Sequence, residues 1–362
     1  MQRVKLSKDL TAAIRSGHPW IYRRALRALD PSLRAGDIVA VELDREPIAL
    51  GFVDPASPIA VRVLSVDVDA RIDAAWRRRC VERACAARES ISGTNAMRLV
   101  HGENDYAPGL VIDRYDDAGV IRYDGAGAEA MWRPHEAALL AAAGVCAPDR
   151  EVIRIEEHGA RFDVDIARGQ KTGFFLDQRD NRVRVRALAA GRTVLNLFCY
   201  TGGFSIHASL GGAQQVTSVD QARPAMAMLA GHVALNELDA GSHELITGDA
   251  FRFLEGAAEA GRAWDVVVCD PPSFAPSEKA KPKALRAYRR LNQLAAAVVA
   301  PGGALVSASC SSHVTMTEML GVLAACGRRL RVVKMCGAGE DHPVAPGFPE
   351  GAYLKCLFAL VE

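Results

Sequence analysis

The sequence predicts an α/β protein in which a mostly parallel sheet of seven strands follows a small β-rich segment and a mixed α+β segment. Beyond about residue 190, short apolar runs alternate with helix-like stretches, which is the pattern of a parallel sheet covered by helices. The first 70 residues instead contain short apolar runs separated by turn signals. Because 362 residues exceed what one hydrophobic core usually serves, we expect three domains, at 1–70, 71–185 and 186–362.

The two N-terminal segments differ in their hydrophobic periodicity. Three β-like runs lie in the first segment, at 36–43, 48–54 and 59–66. Helical spacing begins at residue 71 and continues to residue 90. Residues 97–117 predict two strands around a Gly- and Pro-containing loop, and residues 152–182 predict two strands and a loop that leads into a helix.

The C-terminal segment contains seven apolar runs that we predict to be strands. They are TVLNLFC (193–199), VTSVD (216–220), ELITGD (244–249), WDVVVCD (264–270), ALVSASC (304–310), RVVKMC (331–336) and YLKCLFALVE (353–362). A Pro- and Gly-rich loop links the last two runs and is too short in regular structure for another helical crossover. The final strand is therefore predicted to be antiparallel.

Composition limits the classes of function. Hydrophobic residues make up 49% of the chain and charged residues 24%, and no membrane span or signal segment is present, so we expect a cytoplasmic protein. The nine cysteines include no CxxC pair, which gives no indication of a metal site or a disulfide framework. With a net charge of +1, the chain must meet any nucleic acid through local basic patches, for which the candidates are 77–79, 180–186 and 279–290.

Polar residues at successive strand ends indicate a cofactor site. The turn NLFCYTGGFS (196–205) after the first strand of the parallel sheet lacks the GxGxxG spacing that cradles a pyrophosphate, which disfavours a dinucleotide. The second strand ends in Asp220, which can accept hydrogen bonds from ribose hydroxyls, and the third ends in Asp249. Either acid alone is explained as a helix N-cap, but together they describe a pocket for an adenosine without a pyrophosphate, such as that of S-adenosylmethionine.

The fourth strand ends in CDPPSF (269–274), where two prolines fix the backbone beyond Asp270. A carboxylate held at a rigid strand tip suits hydrogen bonding to the edge of a flat, polar base. The alternative interpretation is an ordinary strand end with an Asp-Pro turn.

Several motifs resemble those of the bacterial 23S rRNA 5-methylcytosine methyltransferases that carry an N-terminal PUA domain. They are KTGFFLDQRDNR, VLNLFCYTGGFS, SVD, CDPPSF, SCS and DHPV with PEGAYLK. GHPWIY (17–22) and GDIVAV (36–41) are similar to the PUA module, and 97–115 is similar to the middle domain, although its NDY loop is more polar than we expect of the family. The resemblance implies a Rossmann-like class I methyltransferase domain behind a PUA-like domain and a mixed α+β middle domain.

The resemblance also implies the site residues and the partner. The S-adenosylmethionine site would be lined by Asn196, Phe198, Thr201, Gly202, Asp220, Asp249 and Asp270, with Phe175, Gln178 and Arg179 closing over it. Arg179 would pair with the methionine carboxylate. The expected partner is RNA, with 23S rRNA as substrate and residues 1–70 supplying affinity, and no membrane is involved. The sequence is compatible with a homodimer.

Cys310, at the end of the fifth strand, matches the chemistry that cytosine methylation needs. C5 of cytosine is a poor nucleophile, and a thiolate that adds to C6 makes C5 able to attack a methyl sulfonium; a base then removes the C5 proton and the thiol is eliminated. We expect Cys310 to be this nucleophile and Asp270 to orient the base. The flanking Ser309, Ser311 and Ser312 and the positive sulfonium of the cofactor are the expected stabilisers of the thiolate. A buried core cysteine is the alternative.

The other cysteines and histidines near these motifs are not expected to be catalytic residues. Cys269 and Cys199 are expected to be buried packing residues. His313 is expected to be a surface residue near a helix start, with proton transfer as the alternative. His342 is a weaker candidate for substrate contact.

Three other functions compete with this interpretation. Related rRNA methyltransferases with a DPP motif modify a guanine nitrogen, which requires no covalent adduct and hence no cysteine at position 310. A non-catalytic RNA-binding or assembly factor would not need both the acids and the thiol. A small-molecule methyltransferase is disfavoured by the two additional domains and the basic segments.

Overall fold

The computed structural model describes all residues, 1–362, and they form two compact units. The first unit comprises Met1–Ile155, Val164–Leu176 and Glu340–Gly351, and the second comprises Glu156–Asp163, Asp177–Gly339 and Ala352–Glu362. The first unit includes both the predicted β-rich segment and most of the predicted middle segment. The domain boundaries at residues 70 and 185 stay a prediction.

The first unit begins with a five-stranded sheet of order β1-β3-β4-β5-β2. Its elements are β1 Gln2–Lys5, α1 Thr11–Arg15, β2 Trp20–Tyr22, β3 Ile38–Leu43, β4 Glu46–Val53 and β5 Ile59–Ser65. The three runs predicted as strands form β3, β4 and β5, which pair as antiparallel neighbours. Their alternating apolar residues, among them Val39 and Val41, are fully buried in the core of this sheet.

The rest of the first unit combines helices with a three-stranded antiparallel sheet of order β6-β7-β8. Its elements are α2 Ala74–Ala86, β6 Ala96–His101, β7 Leu110–Tyr115, β8 Ala118–Tyr123, α3 Ala126–Trp132 and α4 Glu136–Ala142. Two further strands, β9 Val152–Glu157 and β10 Ala160–Asp165, form a separate two-stranded sheet. The strands predicted within 97–117 and 152–182 are therefore present.

The second unit contains the predicted alternation of strands and helices. Its elements are α5 Arg179–Leu188, β11 Thr193–Leu197, α6 Gly203–Leu210, β12 Gln215–Asp220, α7 Arg223–Leu235, β13 His243–Thr247, α8 Ala250–Glu259, β14 Trp264–Cys269, α9 Lys281–Ala297, β15 Val299–Ser309, α10 Met316–Ala324, β16 Leu330–Cys336 and β17 Lys355–Val361. The seven strands form one sheet of order β13-β12-β11-β14-β15-β17-β16. Strand β17 pairs antiparallel with both β15 and β16, which confirms the antiparallel final strand.

The strand order reverses between β11 and β14, which lie side by side in parallel. In open α/β sheets, ligands bind beyond the carboxyl ends of the strands at such a switch point. Residues 194–197 of β11 and 266–269 of β14 are buried, as expected for parallel strands that are covered by helices on both faces. The fold therefore brings the ends of β11, β12, β14 and β15 to one edge of a rigid sheet.

A buried ion-pair cluster stabilises the second unit beside this sheet. Arg182 donates from Nε and from its terminal nitrogen to the two oxygens of Glu157, at 2.6 Å each, and His207 Nε2 lies 3.0 Å from Glu157. Burial acts to raise the pKa of Glu157, but Arg182 and His207 outweigh it, and the pKa falls from 4.5 to about 2.

Glu157→Gln should lower the free energy of unfolding by roughly 3–5 kcal/mol, because it removes a buried carboxylate charge that the Arg182 guanidinium contacts through two hydrogen bonds. In the wild-type protein, the depressed pKa of Glu157 contributes stability above pH 4.5 that is lost as the pH falls towards 2. Urea unfolding at pH 7 and pH 3 checks both effects, with exposed Glu156→Gln as the control. Equal stability of Glu157→Gln and Glu156→Gln would contradict the assignment.

Two of the candidate basic patches are only partly available to a polyanion. Arg77 is buried and bonded to the carbonyl of Ile72, and Arg182 is buried on Glu157. Within the candidate basic patches 77–79 and 180–186, these two arginines are therefore not available to a polyanion. None of the helices is both long and apolar enough to span a membrane.

Candidate active site

The turn after β11 has the most strained backbone at this edge of the sheet. Phe198 and Tyr200 have φ angles of 57° and 49°, in the left-handed region that residues with a side chain rarely adopt. Gly202 follows with a φ of 86°, and a Cβ atom there would lie 2.1 Å from Cδ1 of Leu229. Strained backbone of this kind is typical of ligand sites, because the surrounding structure must hold it in place.

Asp220, the last residue of β12, holds this turn. Its Oδ2 accepts a hydrogen bond from the Tyr200 amide at 2.9 Å, and its Oδ1 accepts one from the Ala222 amide at 2.8 Å. A carboxylate has about four acceptor positions, so these two bonds leave Asp220 able to accept from the hydroxyls of a ribose. The side chain is partly exposed at the strand tip, as the sequence predicts.

Asn196 and Thr201 lie buried at the same turn. Asn196 donates to Ser205 at 2.8 Å, whereas its Oδ1 is buried without a hydrogen-bond partner. Thr201 is anchored through its carbonyl, which lies 2.8 Å from His232 Nδ1. An unpaired buried acceptor beside a strained glycine turn is the arrangement expected where a polar ligand completes the site, so these residues fit S-adenosylmethionine.

The other predicted cofactor residues lie in different settings. Asp249 is exposed and caps α8, accepting from the Arg252 amide at 2.9 Å. Arg179 is buried, and its Nε lies 3.4 Å from Asp180. Phe175 belongs to the first unit, where Lys171 Nζ lies 4.6 Å from its ring centre. The cofactor roles of these three residues stay predictions.

Asp270 is held by a chain of amides from α5 and the turn before it. Gln178 Nε2 donates to Asp270 Oδ2 at 3.0 Å, and Asn181 Nδ2 donates to Gln178 Oε1 at 2.7 Å. Asn181 in turn donates to the Gly337 carbonyl. The chain fixes the orientation of the Asp270 carboxylate, and it gives Gln178 a specific partner in the second unit.

Cys310 follows β15 directly and is partly exposed. The hydroxyl groups of its two neighbours meet on Tyr288, because Ser309 Oγ donates to the Tyr288 hydroxyl at 2.9 Å and Ser311 Oγ lies 3.0 Å from it. Ser311 also bonds Ser273 of the CDPPSF loop at 2.9 Å. These two serines therefore anchor the backbone on both sides of Cys310 to α9 and to the Asp270 loop. Their role in stabilising the thiolate stays a prediction.

Lys355, the first residue of β17, was not predicted from the sequence as a site residue. Its ammonium group is buried, donates to the carbonyls of Ser311 and Tyr353 at 2.6 and 2.7 Å, and has no carboxylate within ion-pair distance. Burial lowers the pKa of Lys355 from 10.5 to about 8, while Cys310 acts to raise it. The sequence carried no local signal for this burial, which depends on the pairing of β17 with β15.

The remaining cysteines and histidines singled out in the sequence lie at the following places, and the roles of the two histidines stay predictions. Cys269 and Cys199 are buried, as expected, and burial raises the pKa of both thiols. His313 is partly exposed ahead of α10, 3.3 Å from Glu278. His342 is buried against Asp341 and the ring of His101 in the first unit.

Comparisons with known proteins agree with this geometry. Residues 131–359 match the S-adenosylmethionine-dependent methyltransferase family, and residues 4–66 match the PUA-like domain family. The chain belongs to the S-adenosylmethionine-dependent methyltransferases, and S-adenosylmethionine is its cofactor.

Curated relatives match over nearly the full chain. A ribosomal RNA large subunit methyltransferase from Deinococcus radiodurans is 35% identical, covering 99% of this chain and 97% of the relative. Ribosomal RNA large subunit methyltransferase I from Salmonella newport is 33% identical, covering 98% and 96%. Among solved structures, a protein described as a SAM-dependent methyltransferase from Streptococcus mutans shares the fold, with a TM-score of 0.88, 21% identity and complete coverage of both chains.

Asp220→Ala should weaken S-adenosylmethionine binding by at least about tenfold, because it removes a hydrogen-bonding carboxylate and releases the Tyr200 amide that shapes the turn. Isothermal calorimetry measures this directly. Asp239→Ala is the matched control, since Asp239 caps a turn elsewhere in the same unit. If Asp220→Ala bound the cofactor as tightly as the wild-type protein, the pocket would be misplaced.

Proposed function

We propose that this protein methylates C5 of a cytosine in 23S rRNA, with Cys310 as a covalent nucleophile. The observation that carries the proposal is the position of Cys310: it is partly exposed at the end of β15, between two anchored serines and beside a buried ammonium group. The names of the curated relatives support large subunit rRNA as the substrate. A cytoplasmic location follows from that substrate.

Residues at the ends of β11 and β12 would hold the cofactor. Asn196 offers an unpaired buried acceptor, the turn at Gly202 offers a close backbone approach, and Asp220 offers acceptors for a ribose. Bound S-adenosylmethionine supplies an electrophilic methyl group on a sulfonium. Asp270, oriented by Gln178, would bond the edge of the target base and fix its ring.

The thiolate of Cys310 forms a bond to C6 of the cytosine, and the electron pair of the C5–C6 double bond becomes available at C5. C5 would then use that pair to bond the methyl carbon, the methyl–sulfur bond of the sulfonium would break, and S-adenosylhomocysteine would be the leaving group. The C5 proton next passes to solvent water. The electron pair left at C5 re-forms the C5–C6 double bond, the sulfur–C6 bond breaks, and the Cys310 thiolate is regenerated. The base must be unstacked to place C6 against the sulfur.

In this proposal, the positive charge of Lys355 stabilises the ionised form of Cys310. A buried ammonium without a carboxylate partner costs free energy, and that cost falls when a neighbouring thiol ionises. Because Nζ is fixed by the carbonyls of Ser311 and Tyr353, its charge stays beside Cys310 while the sulfur bonds and leaves the base. Cationic neighbours activate cysteine nucleophiles in this way.

A guanine-nitrogen methyltransferase is the main competing function. Transfer to a guanine nitrogen needs no thiolate, so it gives no reason for a buried lysine beside Cys310. A non-catalytic assembly factor gives no reason for the strained cofactor turn either. The formation of a homodimer stays a prediction.

The product can be identified from rRNA. Nucleoside mass spectrometry of 23S rRNA from cells that lack the protein should show loss of one 5-methylcytidine, restored by the wild-type gene and not by Cys310→Ala. Incubation of the undermethylated rRNA with purified protein and labelled cofactor should place the label in 5-methylcytidine. Label in a methylguanosine would contradict the proposal.

The start of α9 provides a basic surface next to the Asp270 loop. Lys279 lies in the turn just before α9, and Lys283 and Arg286 lie in its first two turns; all three are exposed, and none is in an ion pair. Replacing all three with Gln should reduce the slope of log Kd against log salt concentration by about 2, because each phosphate contact on single-stranded RNA contributes about 0.7.

Filter binding of an rRNA fragment at several salt concentrations measures that slope. Arg290→Gln is the matched control, since Arg290 lies on the same helix but is paired with Glu255 at 2.9 Å. An unchanged slope in the triple variant would exclude this surface from RNA binding.

A further inference from the structure

A cavity of about 360 Å³ lies in the first unit, separate from the predicted catalytic residues. Its walls are the turn after α1, the end of β5, one side of α2 and the loop after β6. This volume lies at the lower end of the range of small-ligand pockets. The cavity is lined by apolar side chains, including Trp76 and Val66, and by Arg15, Arg83 and Tyr106.

Tyr106 is unusual because its ring is half exposed on a backbone that is held in a strained conformation. Its exposed fraction is 50%, and its φ of 56° is left-handed. The four residues before it, 102–105, are buried, which leaves Tyr106 as the exposed member of the loop. This is the loop whose NDY sequence is more polar than we expect of the family.

Buried polar contacts hold the loop. Asp105 accepts from both terminal nitrogens of Arg88 at 2.8 and 2.7 Å and from the His101 amide. Asn104 accepts from the Ala345 amide at 3.0 Å, and Glu103 accepts from Trp20 and Arg62. The loop is therefore pre-organised, and an aromatic side chain fixed in this way loses little conformational entropy when a flat ligand stacks on it.

Two arginines at the cavity carry positive charge without a carboxylate partner. Arg83 lies 5.7 Å from the centre of the Tyr106 ring, and Arg15 ends α1; both are exposed, and neither is in an ion pair. The one carboxylate that lines the cavity, Glu103, is paired with Arg62 at 3.0 Å. The cavity thus combines an exposed aromatic ring with excess positive charge, which is the combination that binds unstacked bases and their phosphates.

We propose that this cavity binds one unstacked nucleotide of a single-stranded RNA segment, with the base against Tyr106 and the phosphate beside Arg15 and Arg83. This nucleotide is distinct from the one that is methylated. The site does not depend on Cys310 or on the identity of the methylated base. It anchors the RNA at a second point on the chain.

Fluorescence anisotropy tests the proposal with a fluorescein-labelled, twelve-nucleotide RNA pool of random sequence and the full-length protein. Tyr106→Asn removes the ring and keeps a residue that tolerates the left-handed backbone, and it should weaken binding by roughly five- to hundredfold. Tyr106→Phe keeps the ring and should bind within twofold of the wild-type protein. Arg83→Gln should weaken binding, whereas Arg133→Gln, which removes the same charge from the first unit outside the cavity, should not.

Crosslinking locates the contact independently of affinity. After irradiation with RNA that contains 4-thiouridine, mass spectrometry should find crosslinks in the peptides carrying residues 14–19 or 102–108, and Tyr106→Asn should lose them. Binding of Tyr106→Asn within twofold of the wild-type protein, or crosslinks only outside the cavity, would overturn the proposal. Neither result changes the outcome expected for Cys310→Ala in the methylation assay. Failure of the nucleotide site can therefore be distinguished from failure of the proposed catalytic function.

Discussion

Cys310→Ala is expected to lose at least about a thousandfold in the rate of rRNA methylation, because no other group can form the bond to C6. The variant should still bind S-adenosylmethionine and RNA with wild-type affinity, since the predicted cofactor residues lie on other strands. Single-turnover methyl transfer to undermethylated 23S rRNA, at saturating protein, isolates the chemical step. Cys269→Ala and Cys199→Ala are matched controls that remove buried thiols from the same sheet edge and should remain active.

A rate for Cys310→Ala near that of the wild-type protein would contradict the assignment. The target would then be a group that attacks the methyl donor directly, such as a guanine nitrogen. Loss of activity in all three cysteine variants would instead indicate damage to the fold, which a thermal unfolding scan of each variant distinguishes.

Lys355→Met is expected to lose about a hundredfold or more in the same assay at pH 7, because the thiolate loses its compensating charge. The rate advantage of the wild-type protein over Lys355→Met should shrink as the pH rises through about 8. The pKa of Lys355 in the folded protein is lowered from 10.5 to about 8, so the ammonium is present below that value and is lost above it. Lys355→Arg keeps a charge at every accessible pH and should retain activity above pH 8.

Alkylation of Cys310 separates this electrostatic role from a structural one. The rate of reaction with iodoacetamide, followed by mass spectrometry of the Cys310 peptide, reports the thiolate fraction without substrate or cofactor. Its midpoint should move to higher pH in Lys355→Met and return towards the wild-type value in Lys355→Arg. An identical alkylation profile in the wild-type protein and Lys355→Met would show that Lys355 only supports the strand.

The residues at the ends of the parallel strands were predictable from the sequence. The burial of a residue by the pairing of strands that are distant in the chain was not. Asp220, Asp270 and Cys310 each follow an apolar run, and the carboxyl ends of parallel strands meet at one edge whatever the details of packing. Lys355 instead resembles an ordinary lysine at a strand start. Its burial depends on β17 pairing between β15 and β16, which no local pattern indicates.

The serines beside Cys310 illustrate the same limit. Ser309 and Ser311 were expected to serve the thiolate because they are adjacent to it in sequence. Their hydroxyl groups also bond Tyr288 of α9, a contact between residues more than twenty positions apart that the sequence did not indicate. Strands β1 and β2 were also not predicted, since runs of four and three residues carry too little periodicity.

The central claim is that Cys310 forms a covalent bond to a cytosine, and 5-fluorocytidine tests it most directly. Fluorine at C5 blocks the final loss of a proton, so an rRNA fragment containing 5-fluorocytidine should trap a complex with the wild-type protein in the presence of S-adenosylmethionine. The adduct should survive denaturing electrophoresis, map by mass spectrometry to Cys310, and be absent with Cys310→Ala. Methylation of the unsubstituted fragment without any trapped adduct on the fluorinated one, or an adduct on another cysteine, would contradict the claim.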